Sequence, residues 1–104
     1  MPDNAPILVD ALRLHDGKSW CHMVCSDLAT LDAFAAEIGV TSYRQMPPKV
    51  KFPHYDLTPA ARDRAIAAGA VESDRGDVIA AAHHARRSYE LARAQKALPL
   101  GGRR

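Results

Sequence analysis

Trp20-Cys21-His22-Met23-Val24-Cys25-Ser26-Asp27 passes from strand to helix within eight residues. Alternate side chains of an extended segment share a face, so Trp20, His22 and Val24 point one way and Cys21, Met23 and Cys25 the other. Asp27 is a favoured helix N-cap type, because its carboxylate accepts from the free amides of the first turn. Leu28, Leu31, Phe34, Ala35 and Ile38 then form one helical stripe, and Gly39 supplies the stop. Upstream, Ile7-Leu8-Val9 is a β-branched apolar run ending at Asp10 and reads as a second strand. The stretch from His15 to Ser19, with Gly17, reads as the turn between them.

Downstream, residues 41–53 look irregular, with Pro47-Pro48 and Pro53 as breakers and Lys49 and Lys51 solvated. Thr58-Pro59 is a strong helix start, and that helix runs to about Ala68 before Gly69. Ala70-Val71-Glu72 suits a short strand. Asp74 and Asp77 stand at capping-box spacing and open a third helix. Val78, Ala82, Ala85, Tyr89 and Ala92 lie on one side of it, and His83, Arg86, Arg87, Glu90 and Arg93 on the other. Pro99 and Gly101-Gly102 end it, and Arg103-Arg104 reads as a loose basic tail. The expected order is β-β-α-loop-α-β-α. It predicts an α/β (or α+β) fold, a small sheet of short strands covered by helices.

The 104 residues suit a single domain, with a core over 7–79 and a helical extension over 80–104. Hydrophobic and charged fractions of 47% and 25% are ordinary globular values. Alanine supplies much of the apolar share, so a lean, helix-rich core is expected. The net charge of +2 is unevenly spread: residues 1–52 carry five Lys/Arg against six Asp/Glu, and 53–104 carry nine against six. The basic C-terminal helix points weakly to nucleic acid or an acidic partner, and a solvated helix face explains it equally well. No apolar run approaches the roughly 18 to 20 residues of a membrane span, and no signal peptide is evident. The expected location is cytoplasmic, with Cys21 and Cys25 as reduced thiols.

Histidine and aspartate bind metals and move protons near neutral pH. Here they recur in the Trp20–Asp27 stretch and in Pro53-His54-Tyr55-Asp56-Leu57-Thr58-Pro59. Asp10, His22, Asp27, His54 and Asp56 form one candidate set. His54, Asp56 and His22 are the candidate catalytic residues, and Asp10, His22, His54 and Asp56 the candidate ligands of a divalent metal such as Mn²⁺, Fe²⁺ or Zn²⁺. An open coordination position there would activate water for hydrolysis. Without metal, a His held by an Asp can serve as a general base, with Tyr55 or Gln45 orienting an oxygen-rich substrate.

Each of these residues also has a structural use. Asp27 can cap its helix, Asp56 can form an Asx-turn, Asp10 can cap a turn, and His22 can bond to backbone. His54 has the weakest structural excuse. Cys21 and Cys25 make a poor zinc motif, because their spacing is loose and there is no second pair. His83-His84 reads as solvated on a basic helix face.

Several blocks in order, Trp20-Cys21-His22-Met23-Val24, the Asp27–Gly39 helix with Phe34-Ala35, His54-Tyr55-Asp56-Leu57 and Gly69-Ala70-Val71-Glu72, resemble a family of small bacterial and phage proteins catalogued as domain of unknown function 4031. The resemblance covers about residues 7–79. It also matches an opening short strand that carries an Asp, at Asp10, and an aromatic and a Gln in the central loop, at Tyr43 and Gln45. Relatives often carry His where this chain has Asp32, and the segment beyond about residue 80 runs past the family's usual length. The resemblance implies a shared fold and a shared polar site, and brings no activity with it.

Two functional classes follow. One is a small metal-dependent hydrolase or nucleic-acid-processing enzyme centred on His54. The other is a non-catalytic binding module that uses the Tyr43–Pro53 loop and the Arg86 and Arg87 face of the last helix, or that dimerises through Tyr89.

Overall fold

A computed structural model describes residues 5–97. The elements in chain order are β1 (Leu8–Val9), β2 (Arg13–His15), β3 (Lys18–Val24), α1 (Leu28–Glu37), β4 (Arg44–Gln45), β5 (His54–Leu57), α2 (Pro59–Ala67), β6 (Val71–Glu72) and α3 (Arg75–Ala97). The strands make one sheet in the order β4-β5-β3-β1-β6, with β2 also paired to β3. Only the β1–β6 pair is parallel. The fold is therefore α+β, as the sequence leads one to expect.

Three strands exceed the sequence expectation, and each has a local cause. β5 was concealed by its flanking prolines, which suggest a turn. Its burial nevertheless alternates, with Tyr55 and Leu57 buried and His54 and Asp56 half-buried. β2 is exposed along its whole length, so no apolar periodicity betrays it. What forms it is a tight turn at Asp16 and Gly17, whose φ values of 51° and 79° are both positive. That geometry matches the right-handed twist of the flanking strands. β4 is two residues long and borrows its order from β5.

One face of the sheet carries Val9, Cys21, Met23, Tyr55 and Leu57, all buried against Leu31 and Ala35 of α1 and Ala61 and Ala65 of α2. Asp27 caps α1, accepting from the amide and hydroxyl of Thr30 at 2.9 and 2.6 Å. Thr58 caps α2 through the amide of Ala61. The opposite face is covered only in part. There Val78 and Ala82 of α3 pack on Val24, with Leu8 and Phe52 alongside. The helix thus shields one end of this face and leaves the end around Trp20 and His22 open. α3 is continuous through the point near residue 80 where the sequence suggested a division, and the Arg103-Arg104 tail lies outside the described residues. Among the described residues no helix is long and apolar enough to cross a membrane.

Tyr55 lines the core and not the cleft that holds the other candidate residues. It follows from strand alternation that Tyr55 points away from its neighbours His54 and Asp56. Its ring is buried, and its hydroxyl donates to Asp32 Oδ1 at 2.6 Å. Arg44 donates to both oxygens of the same carboxylate, at 2.9 and 2.8 Å. This fork ties α1 to β4 and β5. Arg44 holds the Asp32 carboxyl below its ordinary value of 3.8, and the Tyr55 hydroxyl adds to the effect. Burial, then Asp32, pushes the Tyr55 hydroxyl up to about 12.

The sign of the resulting pH dependence is set by that lowered value. Asp32 stabilises the folded state fully above the ordinary carboxylate value, and the contribution is lost as pH falls through the lower folded value. Both partners are partly in water, which discounts the gain. Asp32→Asn should cost about 1 kcal/mol at pH 7 by urea unfolding. The gap to the parent protein should narrow below about pH 4, where the parent loses the same charge. A gap that stays constant from pH 7 to 3 would show that the carboxylate charge contributes nothing.

Candidate metal centre

In the pairing of β3 with β5, Cys21 lies opposite Leu57, His22 opposite Asp56 and Met23 opposite Tyr55. Directly opposed residues share a face, so this register puts His22 and Asp56 side by side on the partly open face. His54 lies two residues from Asp56 and therefore on the same face. One ligand atom each from His22, His54 and Asp56 lies within 4.8 Å of the others. The two imidazoles meet edge to face with centroids 5.0 Å apart.

Asp10 reaches this group through a break in the sheet. Val9 pairs with Met23 and Arg13 with Trp20, so Asp10, Ala11 and Leu12 face only Cys21 and His22. The extra residue is a β-bulge, a device that re-aims side chains beside functional sites. Asp10 is 5% exposed. Its amide donates to the His22 carbonyl, while the His22 amide donates to Asp10 Oδ1 at 2.6 Å. The second carboxylate oxygen takes the His22 Nδ1–H at 2.7 Å. Arg62 holds the bulge from α2 by donating its Nε–H to the Asp10 carbonyl at 2.9 Å.

These contacts dictate the tautomers. A carboxylate and a carbonyl oxygen can only accept. His22 Nδ1 faces Asp10, and His54 Nδ1 faces the carbonyl of Phe52 at 2.8 Å, so both Nδ1 atoms carry hydrogen. In each neutral ring the lone pair is then left on Nε2. His54 Nε2 stands 3.2 Å from Asp56 Oδ1. Two acceptors at that distance repel unless a cation, a proton or a metal ion, lies between them. The separation also matches that of adjacent ligands around a metal about 2.1 Å from each. Asp10 and the Phe52 carbonyl stand where outer-shell partners orient ligating histidines.

The group opens on a cleft of about 790 Å³ whose floor includes His22, His54 and Asp56. Arg13, Lys18, Trp20 and Tyr43 form its walls. On its other side His22 and His54 border a smaller cavity of about 280 Å³ beneath α3, lined by Val24, Phe52 and Val78. Solvent reaches the three polar side chains unequally, with His22 47% exposed, Asp56 30% and His54 19%.

The remaining sequence candidates fall elsewhere. Asp27 is spent on its helix cap, and Asp56 belongs to a strand rather than an Asx-turn. Asp10 stands behind His22 instead of joining the three-residue group. Gln45 lies opposite His54 in the β4–β5 register, and Tyr43 lines the cleft. Arg86 pairs with Glu90 along α3 at 3.0 Å, and Arg87 is exposed on the same helix, so neither reaches the cleft. Cys21 and Cys25 are buried on the core face. Burial, then Asp10, pushes the Cys21 thiol up to about 11, and burial raises Cys25 as well. Both thiols stay protonated and poor ligands. Arg13 and Lys18 were missed along with β2. The Asp16-Gly17 pair, a strong hairpin signal, would have placed both on the His22 face.

The profile of one family, described as a protein of unknown function (DUF4031), matches residues 7–85. No curated protein and no solved structure matches. The tautomers give the geometry a direct test. Imidazole nitrogen–proton correlation spectra of metal-free protein should show a hydrogen on Nδ1 of both His22 and His54. Asp10→Asn should disturb His22 and leave His54 as it was. A dominant Nε2–H form at either ring would remove the paired lone pairs.

Proposed function

This chain belongs to that family of unknown function, and within it we propose that His22, His54 and Asp56 form a divalent-metal centre of a small hydrolase. What carries the proposal is the pairing of outer-shell contacts with free lone pairs. Asp10 and the Phe52 carbonyl consume the Nδ1 hydrogens, which leaves Nε2 as the free ligand atom of each ring, that of His54 3.2 Å from Asp56 Oδ1. Two imidazoles and a carboxylate suit Zn²⁺, Fe²⁺ or Mn²⁺. Three protein ligands leave coordination positions for water, and a metal-bound water ionises near neutral pH where free water does not. The open cleft beside the group admits a substrate to that water.

The alternative binding module has less to stand on, since Arg86 is already engaged by Glu90. We place the protein in the cytoplasm, where its two buried thiols would remain reduced.

Calorimetric titration of chelator-treated protein with Zn²⁺ or Mn²⁺ should show one ion per chain. His54→Ala and Asp56→Ala should abolish that binding, and Asp10→Asn should weaken it about 10- to 100-fold. Cys21→Ala should not change the stoichiometry. Loaded protein should hydrolyse an activated phosphodiester such as bis(p-nitrophenyl) phosphate, and His54→Ala should not. Unchanged metal binding in His54→Ala would refute the centre. Tight binding with no hydrolysis of activated esters would refute the catalytic part alone.

A further inference from the structure

The cleft beside the centre holds two kinds of side chain that the metal does not need. The first is cationic. Arg13 and Lys18 both line it, and among the described residues neither is ion-paired to a carboxylate. The hairpin register explains why they converge. Arg13 lies opposite Trp20 and His15 opposite Lys18, so Arg13, Lys18, Trp20 and His22 occupy one face. The acid at this rim, Asp16, points into solvent beside His15 at 3.4 Å and leaves the two cations unmatched.

The second kind is aromatic. Trp20 and Tyr43 meet edge to face with centroids 5.0 Å apart. Tyr43 is 56% exposed and adopts a φ of 61°, the left-handed region that a bulky residue rarely enters. Its carbonyl accepts from the Asp56 amide at 3.1 Å, so this unusual backbone is anchored directly to the strand that carries the candidate ligands. Strain of this kind collects where a side chain must be held for a ligand. The outcome is a partly buried Trp and an exposed Tyr side by side in the cleft lining.

Resting on the metal centre proposed above, we infer that this cleft is a nucleotide site. The base lies against Trp20 and Tyr43, and the phosphate lies between Arg13, Lys18 and the metal. A flat aromatic ring joined to an anion is the ligand chemistry that fits both wall types. Arginine matches phosphate oxygens with a planar fork, lysine adds a point charge, and any nucleobase offers a face for stacking. The cleft volume of about 790 Å³ lies within the usual range for small-molecule sites. A phosphoester held there would lie beside His22, His54 and Asp56, where a divalent ion would supply an activated water. In hydrolysis the water oxygen bonds to phosphorus, the ester phosphorus–oxygen bond breaks, and the proton lost by the water ends on the leaving oxygen.

Trp20 is the chain's single tryptophan, so its fluorescence reports this cleft alone. Zn²⁺-loaded and chelator-treated protein would be titrated with adenosine 5′-monophosphate, adenosine and inorganic phosphate. The nucleotide should quench Trp20 emission, and phosphate should compete while changing emission little. Arg13→Gln and Lys18→Gln should each weaken the nucleotide by about tenfold and leave adenosine nearly unaffected. Tyr43→Ala should weaken both by about fivefold or more, with circular dichroism confirming that each variant is folded. No quenching by millimolar nucleotide, or equal affinity for adenosine and its monophosphate, would overturn the site. Stoichiometric metal with no nucleotide response would also overturn it and spare the metal centre. Nucleotide binding that keeps its Arg13 and Lys18 dependence in protein that takes up no metal would uphold the cleft and remove the centre.

Discussion

The antiparallel pairing of β3 with β5, in the register that opposes His22 to Asp56, constrains both the core and the candidate centre. Because side chains alternate, one register sends Cys21, Met23, Tyr55 and Leu57 into the apolar interior and His22, His54 and Asp56 to the cleft. A one-residue slip of β5 would send Tyr55 and Leu57 to the cleft and His54 and Asp56 to the interior. Two polar side chains would then lie among alanines and leucines, at a desolvation cost of several kcal/mol. The hydrophobic core therefore enforces the site geometry without touching it.

The bulge at Asp10–Leu12 adds what a regular sheet could not. In an unbroken ladder the His22 amide would be met by a main-chain carbonyl. Here the Asp10 carboxylate takes that amide and the ring nitrogen together. A buried anion is retained because donors surround it, and the histidine it orients is left with its other nitrogen free. The same irregularity carries the chain on into β2, which brings Arg13 to the cleft. Stability and site are thus coupled at Asp10, while the Asp32–Arg44–Tyr55 fork stiffens the opposite face independently.

The helices were legible because their signals are local. Asp27 and Thr58-Pro59 cap as their residue types suggest, and Gly39 and Gly69 follow the two helices they terminate. β3 was legible through its alternation. β2 and β5 were less so, for opposite reasons. β2 buries nothing and so leaves no apolar period, while β5 has a good period hidden between Pro53 and Pro59. Asp10, His22, His54 and Asp56 could be named from residue type and position. The division of labour among them could not.

The sequence by itself determined the helix boundaries, the two-faced character of Trp20–Cys25 and the residue types able to make a polar site. These depend on neighbours within a few positions, where backbone propensity and side-chain period act. Only the tertiary structure decided that Asp10 stands behind His22, that Tyr55 belongs to the core, and that Trp20 and Tyr43 share a wall with Arg13 and Lys18. Those relations join residues distant in the chain. They are set by strand register and by one inserted residue in the sheet, and neither is encoded in local periodicity.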